Sequence, residues 1–140
     1  MKTRYTPLVK LKKSTMDKSE TLVQRMNADL NSATTALKLS YSSLDEIETP
    51  ESGSIHELLA SRSLFHSQRA LIDKNKQWVV YAKGQVDAAK QQLKADMIEY
   101  EKFNYLEFEE IKKILKERKI KEAKDLDEIA LMTYDIKVRK

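Results

Sequence analysis

The chain has 140 residues but no cysteine, and only two glycines, two prolines and two histidines. Without cysteine there is no disulfide framework and no thiolate metal or redox site. Tight turns lean on Gly and Pro, so a chain this poor in both has few places to reverse direction, which argues against a β-rich fold. Two glycines cannot supply a P-loop or a dinucleotide-binding fingerprint. His56 and His66 have no metal-ligand cluster around them and read as surface groups. Carboxylate pairs such as Asp45–Glu46 sit in a run of like charge with nothing to enclose them. No apolar run approaches the ~18 residues of a membrane-crossing helix. The charged N-terminus has no apolar core behind it, so no secretory signal is expected. The chain therefore reads as non-enzymatic, with no catalytic residues, no metal and no cofactor.

What is present in abundance is periodic. Apolar residues make up 41% of the chain and charged residues 34%, the balance of long amphipathic helices. Val9, Met16, Val23, Leu30, Leu37 and Leu44 recur every seven residues, with Met26, Ala33 and Ile47 three residues after some of them. The spacing returns at Leu58, Phe65, Ile72, Val79, Val86, Leu93 and Tyr100, with Ala82, Ala89 and Phe103 as partners. A seven-residue repeat held this long marks a coiled coil.

One strong interruption separates the two series, "ETPESGS" at Glu48–Ser54. Pro50 disfavours helix before it, Gly53 adds backbone freedom, and Ser54 with Glu57 has capping-box spacing. The fold class expected is all-α: a long two-helix antiparallel coiled-coil hairpin whose second helix overhangs the first. The whole of 1–140 reads as a single coiled-coil domain, with helix 1 over about 8–48, a turn over about 49–53 and helix 2 over about 54–136. Pro7 suits a first helical turn. Folding about residue 51 would set Leu44 near Leu58, Leu30 near Ile72 and Val9 near Leu93. Residues after about 100 would then lack an internal partner, although Phe103, Leu106, Phe108, Ile111, Ile114 and Leu115 keep an apolar stripe. Such a stripe calls for a cover: a fold-back hinged at "KDLD", a second copy or another partner, unless the segment is disordered. No Gly or Pro follows Gly84 to make a hinge. Gly84 itself reads as a helix defect or a close-contact point.

Charge is segregated. No Lys or Arg lies between Lys38 and Arg62, a span holding Asp45, Glu46, Glu48, Glu51 and Glu57. Lys112, Lys113, Lys116, Arg118, Lys119, Lys121 and Lys124 form a basic segment, and the first eighteen residues are basic as well. Fields of this kind steer and orient association. The arginine-rich, aromatic-interleaved patches of nucleic-acid binding are missing, so no nucleic-acid partner is expected.

The opening "YTPLVKLKKSTMDKSE", the two-helix pattern and the C-terminal "LKERKIKEAKDLDEIALMTY" together resemble the FliJ family, the soluble stalk component of the flagellar type III export apparatus. The resemblance implies an antiparallel coiled coil whose termini enter the export ATPase hexamer, and which also contacts the membrane export gate protein and export chaperones. It implies a cytoplasmic protein, peripheral at the inner face of the cell membrane through its partners. The ATPase-binding residues it implies are Lys112, Lys116, Arg118, Lys119, Lys121, Leu126 and Ile129. For the export gate they are Tyr41, Leu44, Phe65 and Ile72. Of these four, Leu44, Phe65 and Ile72 also suit the hairpin core, whereas Tyr41 lies off the heptad seam. Asn75 and Glu48 stand where the family pattern leads one to expect a histidine or a second tyrosine.

Two other readings share parts of this pattern. A type III export chaperone that binds a specific flagellar substrate would use three or four shorter helices around an apolar groove. A general coiled-coil scaffold would need the heptads but no charge polarity.

Overall fold

The computed structural model describes residues 1–49 and 53–139. It contains two long helices, α1 (Thr6–Asp45) and α2 (Ile55–Arg139). They pack against each other as an antiparallel hairpin, with no strand among the described residues. Pro50 and Glu51, at the centre of the expected turn, lie outside the described residues.

Local chemistry sets three of the helix ends. Before α1, the Tyr5 amide donates to Thr3 Oγ1 at 3.1 Å and the Thr3 amide donates to Thr6 Oγ1 at 2.9 Å. This reciprocal exchange satisfies amides that have no helical acceptor. Pro7, in the first turn, has no N–H to leave unpaired. At the other end of α1 the last turn holds no basic residue. Asp45 and Glu46 stand there against the negative end of the helix dipole, where acids are unfavourable. At the start of α2 the Glu57 amide donates to Ser54 Oγ at 3.4 Å and to Ser54 O at 3.1 Å. Gly53 has φ +154°, and a Cβ there would collide with the Glu57 carboxylate.

The chain forms two compact units, residues 16–96 and residues 1–15 with 97–140. In the first, Ala33, Ile72, Ala82, Val86 and Ala89 are buried, together with Ser19, Ser40 and Ser61. Among the described residues no large side chain is completely enclosed. Small residues at the seam let the two backbones approach, while Val23, Met26, Leu30, Leu37 and Leu44 lie half-buried beside them. The covered positions of α1 alternate three and four apart, as a coiled-coil seam requires. Some of these positions are polar. Ser19 Oγ donates to Asp96 Oδ2. Asn75 Nδ2 donates to Ser40 Oγ, and Gln68 Nε2 donates to Ser40 O at 2.8 Å.

These polar pairs fix a register different from the expected one. Folding about residue 51 would put Ser19 opposite Lys83, yet its partner is Asp96. In the second unit, Lys12 would face Lys90, yet it reaches Glu99 at 3.7 Å and the Phe103 ring at 5.5 Å. The reason lies at the end of α1. Helix 1 stops at Asp45 rather than running on to residue 48, and Glu46–Thr49 line a groove with Glu57, Ala60, Ser61 and Leu64. Ser61 Oγ donates to Glu48 O at 3.3 Å. Non-helical chain advances up to ~3.3 Å per residue against ~1.5 Å in a helix. A few connecting residues therefore flank α2's first turns, and α1 pairs further along. Leu58, expected in the seam, is 47% exposed as a result.

The second unit changes accordingly. Phe103, Leu106, Glu110, Ile111 and Ile114 are half-buried, and Arg4 reaches Glu110 at 4.0 Å. Pairing thus extends past residue 100, and the uncovered part of α2 begins at Leu115. The helix continues through Lys124–Asp127 to Arg139 without a break, so no fold-back forms.

Gly84 is neither defect nor contact point. The helix passes through it, and a Cβ there would meet nothing within 4 Å. Gly84→Ala should therefore stabilise the chain by about 0.5–1 kcal/mol, seen as a raised urea midpoint in circular dichroism. An unchanged or lowered midpoint would mean that this position needs the freedom of glycine.

Candidate partner-binding surfaces

From Leu115 to Val138 every residue of α2 is exposed. Lys116, Arg118, Lys119, Lys121, Leu126 and Ile129 all lie in this stretch, and Lys112 is exposed just before it. The sequence reading stopped at Ile129, but the apolar surface does not. Leu126, Ile129 and Ile136 share one side of the helix, and Leu131, Tyr134 and Val138, spaced i, i+3, i+7, share another. A helix apolar on two sides suits enclosure rather than one-sided packing. The signal for the missed residues was a second apolar series, Leu131, Tyr134 and Val138 at i, i+3, i+7, separate from the polar side of Asp125, Glu128 and Asp135.

The four residues expected at the gate separate by burial. Tyr41 is 42% exposed, and Lys76 Nζ lies 5.8 Å from its ring centre. Leu44 and Phe65 are half-buried in the seam. Ile72 is 4% exposed and offers a partner no surface unless the hairpin opens. Asn75, where the resemblance led one to expect a histidine or a tyrosine, is a seam residue held by Ser40 and the Ala36 carbonyl.

Comparison with known proteins gives one result at the level of family. The family model described as "Flagellar FliJ protein" matches residues 1–139. The chain belongs to the FliJ family. No curated protein and no solved structure matches it. FliJ membership implies a protein related to flagellar export.

In this FliJ-family chain the acidic span carries more than charge. Ile55, Leu58, Leu59 and Leu64 are exposed there beside Glu46, Glu48 and Glu57. The sequence pattern assigned Leu58 to the seam and gave the others no role. None of the helices, over the described residues, is long and apolar enough to cross a membrane.

Proposed function

We propose that the chain is a non-enzymatic, stalk-like component of the flagellar type III export apparatus. Its α2 terminus binds the export ATPase hexamer, and it couples that ring to the membrane export gate and to export chaperones. The observation that carries this reading is the stretch of residues 115–138, exposed throughout and apolar on two sides. Leu126 and Ile129 supply burial inside the ring. Lys112, Lys116, Arg118, Lys119 and Lys121 supply capture rate and orientation, as exposed charges at an interface do. Tyr41 is the exposed contact for the gate, with the half-buried Leu44 and Phe65 contributing what surface they retain, while the buried Ile72 belongs to the seam. The protein works in the cytoplasm, at the inner face of the membrane through its partners. An uninterrupted α2 of 85 residues favours this reading over a chaperone built from several short helices.

Adding the protein to purified export ATPase should raise its ATP hydrolysis rate and promote ring formation. An ATPase indifferent to saturating amounts of the protein would contradict the proposal.

A further inference from the structure

A groove between α1 and α2 in the unit of residues 16–96 is separate from the surfaces above. It is lined by Met26, Asp29, Trp78, Tyr81, Ala82 and Gln85 and encloses about 370 Å³. Ala82 is buried and Met26 half-buried, which makes the floor apolar. Trp78 is the only tryptophan in the chain. It is 42% exposed, and Tyr81, one turn on, is more exposed still. Leu71 precedes Trp78 by two turns on the same stripe and is also exposed, as is Leu22 one turn before Met26 on α1. An apolar-floored groove rimmed by large exposed side chains is the kind of surface that receives the apolar face of an amphipathic helix.

The electrostatics say which kind of helix. Tyr5, Tyr41 and Phe103 each have a cation of this chain over the ring, at 5.0, 5.8 and 5.5 Å. Among the described residues no cation lies over Trp78 or Tyr81. Asp29 takes part in neither ion pair found among those residues. Two electron-rich faces and a free carboxylate around one groove attract a cation. An acidic helix would be repelled, and a wholly apolar one would strip water from Asp29 with nothing in return.

We propose that this groove docks a helix of a partner protein that places one arginine or lysine between Trp78 and Tyr81, with its charge on Asp29 and an aliphatic neighbour one turn away on Met26. The proposal does not rest on the ATPase reading and concerns different residues.

The probe is a short amphipathic helical peptide with a single arginine at the centre of a leucine- and alanine-rich face. Its control replaces the arginine with citrulline, which keeps the shape and removes the charge. Trp78, as the sole tryptophan, reports occupancy of the full-length protein through its emission. The arginine peptide should give a saturable change and bind about tenfold tighter than the citrulline peptide. Asp29→Asn should reduce the arginine preference to the few-fold that the two rings supply, while helicity stays unchanged. Equal affinities for the unsubstituted protein would overturn the proposal, as would no saturable response to either peptide. So would an arginine preference left undiminished by Asp29→Asn. Emission that changes with protein concentration alone would place a second copy of the chain in the groove and overturn it as well.

Discussion

Ile72→Asp should lower the stability of the hairpin by about 3–5 kcal/mol, the usual cost of a buried charge left without a partner. Ile72 is 4% exposed in the seam of α2. An aspartate there would lose its water, and the nearest cations on α2, Arg69 and Lys76, are exposed and would have to leave solvent to pair with it. The matched control is Val80→Asp on the same helix. Val80 is 71% exposed, so the same substitution should change stability by no more than about 0.5 kcal/mol. Urea unfolding followed by circular dichroism separates the two. Similar midpoints for both variants would mean that Ile72 is not in the seam.

Deleting residues 115–140 should abolish stimulation of the export ATPase and leave the hairpin folded. The cut falls just after Ile114, the last covered residue of α2 among those described, so the packing described against α1 is retained. A cut at residue 111 would remove the half-buried Ile111 and Ile114 as well, and would confound loss of binding with loss of packing. Within the deleted stretch the two kinds of side chain should act on different rates. Reversing Lys116, Arg118, Lys119 and Lys121 to Glu should slow association, and more so at low salt, because screening over about 10 Å at 0.1 M already weakens exposed charges. Leu126→Ala with Ile129→Ala should speed dissociation at any salt. Each such side chain is worth about 1.5–3 kcal/mol when fully buried. Full stimulation by the shortened protein would move the ATPase contact elsewhere on the chain.

Both helices and their antiparallel pairing were legible because Val9–Leu44 and Phe65–Leu93 repeat without a break, and one Pro/Gly segment lies between the two series. The register was not legible. It is held by Ser19 with Asp96 and by Ser40 with Asn75 and Gln68, residues that read as surface when only apolar positions are followed. A polar residue in a coiled-coil seam specifies alignment at some cost in stability, and its partner shows only in three dimensions. Leu58 erred the other way: it has the right spacing for the seam, but α1 ends before reaching it. At the α2 terminus, Leu126 and Ile129 stood out as a clean i, i+3 pair, whereas Leu131, Tyr134 and Val138 fall on another side and broke the single-stripe pattern. The groove at Trp78 was invisible for a related reason, since Met26 and Asp29 come from one helix and Trp78 and Tyr81 from the other.

Amide hydrogen exchange with and without the assembled export ATPase tests the central claim most directly. A helix with no packed face opens readily, so the amides of residues 115–138 should exchange fast in the free protein and those around Ala82–Ala89 slowly. On addition of the ATPase ring, protection should appear across residues 115–138, while the slow amides of the seam keep their rates. Fast exchange persisting in residues 115–138 while the complex is formed would contradict the assignment of this segment to the ATPase.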